Sequence, residues 1–430
     1  MKRRNFIKTS FFTGVALMNN WENLFAQGTQ NSLVGKPWTG WNKGQFQVHF
    51  IYTGVAESIF MIFPDGTSML LDCGDANNGG LPTSVPILPN SDRHSGEWIA
   101  RYVLRVNPKG KEVDYMLLSH YHNDHGGWQR SNAGMFESGN YKFALSGFSQ
   151  AAQYLNFYKA IDRCWPDYND PIPLKDKRAD NVAHMKAFYN YMNKEKGLKI
   201  EKFELGAINQ IALLNNPELY RRFYVKNICA NGRVITPDGR ILDLYKDYIK
   251  EKRPEFLNEN GMSLGMVFYY GPFRFFTAGD FADQIPLSEG KTHWIENDLA
   301  KVCGTAHVTK LNHHGLGAMP QKLIEALRSQ VYVSCVWGQK QDADNVMTRV
   351  ASRTYYNGDR IICPTIMPAE RRTIDGDKKW MKDVAKASYD GGHVVLNVEE
   401  GGEKYSITYL SAADESMTVK SVMNFETKEL

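Results

Sequence analysis

The 430-residue sequence predicts a layered α/β fold. Strand-type runs stand at both ends of the chain, with helix-period segments between them. Three apolar, strand-like runs each open directly into a loop that carries His or Asp. The composition, 43% hydrophobic and 23% charged, excludes a disordered, collagenous or disulfide-knot chain. No run of about 18 apolar residues suggests a membrane span in the body of the chain.

The first residues read as an address. Lys2, Arg3, Arg4 and Lys8 precede a mild apolar stretch, Thr9 to Met18, and Leu24-Phe25-Ala26 offers a small-residue cleavage site. Arg3-Arg4 before Phe6-Ile7-Lys8 resembles a twin-arginine export signal, which gives a signal peptide over residues 1–26 and a mature domain over 27–430. The expected location is periplasmic or secreted, with no membrane span once the signal is removed. Those four cations against Glu22 account for +3 of the net +4. The remaining body is nearly neutral, so no broad nucleic-acid surface is expected.

The elements follow in order. Residues 46–63 read as two strands joined by a Gly-containing turn. Pro64-Asp65-Gly66-Thr67 is a hairpin signal, and Ser68 to Asp72 is the answering strand. Trp98, Ile99, Tyr102, Val103 and Val106 share one helical face over 97–106. Val113 to Leu118 is a buried strand. Residues 146–258 read as a mainly helical insertion, with helix-period segments at 150–163, 180–195, 217–223 and 241–252 and a Pro-rich stretch at 165–173. Its aromatic side chains read as packing for its own helices. Strands return at 263–270 and 273–278. Two helix-like segments, 293–302 and 320–328, each precede a strand, at 307–311 and 331–336. Residues 393–398 and 405–410 close the chain as a strand pair.

Chemistry concentrates in Ser119-His-Tyr-His-Asn-Asp-His-Gly-Gly127. His120 and His122 are two apart, so at strand period they point the same way. Asp124 and His125 follow on the turn that Gly126-Gly127 allows. Imidazole with carboxylate suits Zn²⁺ and other divalent first-row ions. Two more strands end in ligand-type residues, Asp280 after Phe273–Phe276 and His313-His314 after His307–Leu311. His49, His94, His293, His307 and His393 lack partners at ligand spacing and read as structural or surface residues. Six cysteines at irregular spacing contain no CxxC pair, which argues against a thiolate metal site. Cys73, Cys303 and Cys335 read as small buried residues.

With these residues in view, the sequence resembles the metallo-β-lactamase superfamily, whose His-x-His-x-Asp-His motif stands complete at 120–125. It looks most like the metallohydrolase domain of competence-type DNA-uptake proteins and like secreted phosphorylcholine esterases. Further segments carry the likeness: Gly54 to Phe60, Asp65-Gly66 with Leu70 to Gly74, Asn260 to Leu264 before Thr277 to Asp280, and Leu311 to Gly315. The resemblance implies an αββα four-layer sandwich with the site at one edge of its two sheets. It places His120 and His122 on one ion. Asp124, His125 and one of His313 and His314 fall on a second, with Asp280 bridging. The family's third imidazole on the first ion has no match here. His184, the one His between 125 and 280, lies in a helix-like segment and reads as a solvated helix residue, with a third ligand to the first ion as the alternative. Asp72 is either an orienting partner for a ligand imidazole or a turn residue before Gly74.

The resemblance therefore implies an exported metal-dependent hydrolase holding one or two divalent ions, with zinc expected and Mn or Fe as alternatives. Its nucleophile is an ion-activated water, and Asp124 and Asp280 act as ligands and proton partners. The expected substrate is a phosphodiester or a phosphorylcholine-like phosphoester. A lactone, thioester or β-lactam hydrolase on the same centre is the alternative. A non-catalytic periplasmic binding protein with a degraded site is the second.

Overall fold

The computed structural model describes residues 32–75, 85–127, 132–174, 181–250, 257–286, 291–335 and 344–429. The export signal read over 1–26 lies outside them. No helix among the described residues is long and apolar enough to cross a membrane.

Two sheets form the body. A nine-stranded sheet runs in the order Val419–Glu426, Lys404–Leu410, His393–Val398, Phe46–Phe50, Ser58–Ile62, Ser68–Cys73, Glu112–Leu117, Asn156–Asp162, Lys199–Lys202. An eight-stranded sheet runs Ile241–Asp243, Arg233–Ile235, Phe223–Ala230, Gly265–Tyr270, Phe273–Thr277, Val308–Lys310, Val331–Ser334, Ile361–Pro364. Each begins antiparallel and becomes parallel. The change falls after Ser68–Cys73 in the first sheet and after Phe273–Thr277 in the second. Parallel strands carry helices on their outer faces, so their residues are buried on both sides and read as continuous apolar runs.

Three apolar clusters mark three interfaces and hence four layers. Between the sheets, Phe46 stacks on Phe268 at 5.8 Å and Phe50 meets Phe275 edge-on at 5.9 Å. Outside the first sheet, Ile99 and Val103 of the helix Ser95–Val106 and Met185 and Phe188 of the helix Val182–Glu195 cover Phe60, Leu70 and Met116. Outside the second sheet, Leu323 and Leu327 of the helix Gln321–Leu327 and Val346 and Val350 of the helix Asp344–Ala351 cover Phe276 and Tyr332. This is the αββα arrangement. Truncating a central ring such as Phe275 to Ala removes packing worth about 3–5 kcal/mol.

Residues 146–258 depart from the mainly helical reading. The segment 150–163 is a short helix, Phe148–Ala151, followed by the strand Asn156–Asp162 inside the main sheet. Exposed Tyr158 between buried Phe157 and buried Ala160 belongs to a strand packed mainly on one side. Residues 217–223 form a turn of 3₁₀ helix that leads into the strand Phe223–Ala230, and 241–252 opens with the strand Ile241–Asp243. Only the helix Val182–Glu195 matches its predicted span closely. The segment is thus woven into both sheets, because strand pairing overrode a weak helical period. Of its aromatics, Phe157, Tyr168, Phe188 and Tyr189 pack into the outer core, while Tyr154 and Tyr158 are exposed. All six cysteines are buried free thiols.

Candidate metal centre

The chemistry-bearing loops all leave carboxyl ends of the parallel strands. Ser68–Cys73 ends in Asp72, Glu112–Leu117 runs into Ser119 to His125, Phe273–Thr277 leads to Asp280, and Val308–Lys310 leads to His313-His314. The edge where both sheets present these ends is therefore one site. Close backbone packing makes it possible. A Cβ on Gly74 would lie 1.8 Å from the carbonyl oxygen of Asp124, so only glycine lets the 73–75 turn lie against the His loop.

Three side chains close on one point, with Asp124 beside them. His125 Nε2 lies 3.2 Å from His314 Nε2 and 3.2 Å from Asp280 Oδ2. His314 Nε2 lies 3.4 Å from Asp280 Oδ2 and 3.4 Å from Asp124 Oδ2, and His125 Nε2 lies 4.0 Å from Asp124 Oδ1. Ligands about 2.0–2.1 Å from a tetrahedral zinc stand roughly 3.3 Å apart, so His125, His314 and Asp280 have the spacing of donors to a single ion, with Asp124 at its margin. Beside it, His120 Nε2 lies 3.0 Å from His122 Nδ1 and 3.9 Å from Asp280 Oδ2. Asp280 Oδ2 thus faces both imidazole groups. Its Oδ1 has no hydrogen bond among the described residues and faces Lys310 at 3.6 Å.

The loop geometry separates the adjacent imidazoles. His313 and His314 both hold left-handed backbone, φ 48° and 49°, which is costly for non-glycine residues and typical of functional sites. His314 turns into the donor cluster. His313 meets Asn260 instead, with its Nε2 3.1 Å from Nδ2. Asn312 holds the loop from below. Its amide donates to the Phe281 carbonyl at 3.1 Å and to buried Glu296 at 3.0 Å.

Support residues surround the donors. Asp72 Oδ2 accepts from His125 Nδ1 at 2.8 Å and from the Ser119 hydroxyl at 2.7 Å, so the turn Asp also orients a ligand-type imidazole. Glu57 and Lys310 carried no role in the sequence reading. Both side chains are fully buried and pair at 2.8 Å, and Glu57 Oε2 lies 3.3 Å from His314 Nδ1. Glu57, His125, Asp280 and His314 place ligand atoms within 4.8 Å of one another. The available signal was a lone Glu and a lone Lys inside apolar runs, where charged residues seldom stand unpaired.

Electrostatics favour a cation. Burial, with His125 and His122 nearby, pushes the His120 imidazole far down, so it is neutral and able to ligate. Burial alone would lower His125 too, but Asp280, Asp124 and Asp72 raise it well above the ordinary value. Burial would raise the Asp280 carboxyl, yet His125 and His314 hold it far below the usual range. An ion held between these groups would take the place of the proton on His125.

His184 is not solvated. It is buried on the inner side of its helix, with Nε2 3.5 Å from the Ser149 hydroxyl. The other unassigned imidazoles have structural partners. His49 meets Tyr102, His393 accepts from the Tyr52 amide, His307 meets the Lys428 carbonyl, His293 meets Asp298, and His94 lies 3.7 Å from Asp75.

Residues 52–129 match the family model of the metallo-beta-lactamase superfamily, a span that reaches just past the first imidazole loop. No curated protein matches the chain. Among solved structures, a chain from Parabacteroides distasonis ATCC 8503, named for a proposed metal-dependent hydrolase activity, aligns at 13% identity and a TM-score of 0.34. The alignment covers 74% of this chain and 92% of that one. Likeness at that level carries no weight for activity.

Proposed function

We propose that this chain is an exported metal-dependent hydrolase that cleaves a phosphoester, either a phosphodiester or a phosphorylcholine-like ester. One observation carries the hydrolase reading. Imidazole and carboxylate donors from three loops, His125, Asp280 and His314, close on one point at tetrahedral spacing, and the first of them lies in the segment that matches the metallo-beta-lactamase superfamily model. The phosphoester and the export signal rest on the sequence resemblance alone.

Asp124, His125, Asp280 and His314 would hold one divalent ion, and His120 and His122 with Asp280 a second. Mixed nitrogen and oxygen donors suit zinc, with Mn and Fe as alternatives. When bound, such ions supply Lewis acidity and acidify a water. The chain's residues do the rest. Asp72 fixes the His125 ring with Nε2 facing inward, because its carboxylate takes Nδ1–H. Lys310 faces Oδ1 of Asp280 at 3.6 Å, while Oδ2 is directed to the centre. Asp124, whose side chain is 26% exposed, would hold the ion together with His125, Asp280 and His314 and serve as a proton partner at the solvent side. No Ser or Cys nucleophile is needed.

The test is a panel of bis-p-nitrophenyl phosphate, p-nitrophenyl phosphorylcholine and a chromogenic β-lactam, each with Zn²⁺ or Mn²⁺. Metal-stimulated cleavage of a phosphoester that is lost in His122→Ala and Asp280→Ala supports the reading. Turnover of the β-lactam alone would move the assignment to the lactone, thioester and β-lactam class, which the same donors could serve. Absence of bound metal after Zn²⁺ loading would leave the binding-protein alternative.

A further inference from the structure

The residues around the His120–His122 pair contain one buried ion pair that the proposed chemistry does not use. Arg163 is 1% exposed at its side chain. It grips Glu259 with both arms, Nε to Oε1 at 3.0 Å and Nη2 to Oε2 at 2.6 Å. Its Nη1 is held by the Asn231 side chain at 2.9 Å and the Asp170 carbonyl at 3.2 Å. Oε1 of Glu259 also accepts the backbone N–H of Tyr121 at 2.9 Å, between the two imidazoles. The Tyr121 side chain runs the opposite way. Its hydroxyl donates to Asp162, and its ring lies 4.7 Å beneath the Arg163 guanidinium.

The same segment reaches the other ligand loops. Asn260 meets His313, the Ser263 hydroxyl accepts from the Asp280 amide at 3.2 Å, and the Leu264 amide donates to the Ser119 carbonyl at 3.0 Å. Residues 259–264 therefore touch all three loops that supply donors. Burying a bidentate ion pair is costly and gains little stability over an apolar pair of equal volume. Its return here is geometric, since a carboxylate fixed at both oxygens presents one lone pair to Tyr121 N–H in a single direction.

We infer that Glu259, locked by Arg163, is a positioning residue for His120 and His122, acting through the Tyr121 amide. This rests on the metal-centre reading above. Two charge-matched double variants isolate the Tyr121 bond. Arg163→Met with Glu259→Gln keeps an acceptor for Tyr121 N–H. Arg163→Met with Glu259→Met removes it at nearly constant volume. Apo protein is titrated with Zn²⁺ against a chromophoric chelator, and the thermal transition of each apo form is recorded alongside.

The Gln form should bind Zn²⁺ within about 3-fold of wild type. The Met form should weaken by about 10–100-fold the same ion that His120→Ala weakens, as loss of an orienting partner does. Apo transitions of the two forms should agree. Equal Zn²⁺ binding by the Gln and Met forms overturns the inference, whether both resemble wild type or both fail. If His120→Ala itself binds Zn²⁺ as wild type does, the pair holds no metal, and the two-ion reading falls together with this one. A wild-type response in the Met form alongside a loss in His120→Ala would overturn only the role of Glu259.

Discussion

Asp72 Oδ2 stands 2.8 Å from Nδ1 of His125, and the backbone that puts it there is left-handed, with φ of 59°. A non-glycine residue in that region costs about 1–3 kcal/mol, and the contact to His125 is what the strain supports. The same carboxylate takes the Ser119 amide and hydroxyl at 2.7 Å each, so it sets both the ring and the start of the His loop. Asp72→Ala should lower metal affinity by about 10–100-fold. Metal titration of the purified variant checks this, and wild-type affinity would show that the contact is structural only.

Metal counting separates three imidazoles. His314 Nε2 lies within 3.4 Å of three donors, His313 faces Asn260, and His184 is buried beside Ser149. His314→Ala should lose about one equivalent of metal and most activity. His313→Ala should keep its metal and be milder, acting on substrate or loop orientation. His184→Gln should keep its metal. Loss of metal in His184→Gln, with none in the other two, would overturn this ranking.

The loops that meet at the candidate site were legible because each follows a buried strand and concentrates residue types that rarely cluster without a ligand. His120 to His125, Asp280 and His314 could be found that way, and the left-handed turn that splits His313 from His314 could not. Glu57 and Lys310 escaped notice because a single charged residue in an apolar run has no pattern. Their meaning appears only when strands from two sheets bring them within 2.8 Å. The strand Asn156–Asp162 was read as helix because two short elements share residues 150–163, and pairing with Glu112–Leu117 decides the outcome. His184 was misplaced for a related reason, since its neighbours Met185 and Lys186 do not reveal which helical face meets the sheet.

Lys310 offers a test of charge balance. Burial alone would lower its ammonium, but Glu57 and Asp280 hold it protonated. Lys310→Met leaves Glu57 buried without its partner, and breaking such a pair costs about 3–5 kcal/mol. The loss should appear in full with a chelator present. A bound divalent cation neutralises the same carboxylates, so added Zn²⁺ should stabilise the variant more than it stabilises wild type. Denaturant unfolding in EDTA and in Zn²⁺ checks this. An equal Zn²⁺ increment in both proteins would show that Lys310 does not balance the site.

Acid sensitivity follows from buried imidazoles outside the donor cluster. Burial lowers His184 to about 4 and His49 and His393 to about 3, with a smaller push on His49 from His393 and on His393 from Arg105. In the unfolded chain each returns to about 6.5. Between the two values the unfolded state binds the extra proton and the folded state does not, so stability falls as pH drops below 6.5. At 1.36 kcal/mol per pH unit, His184 alone accounts for about 2 kcal/mol lost by pH 5. Urea unfolding at pH 7.5 and 5.0, with EDTA in both, should show a large drop for wild type. His184→Gln has no proton to gain at that position, so its drop should be smaller by about 2 kcal/mol. An identical drop in the two proteins would mean that His184 titrates normally in the folded state and that its burial is not dry.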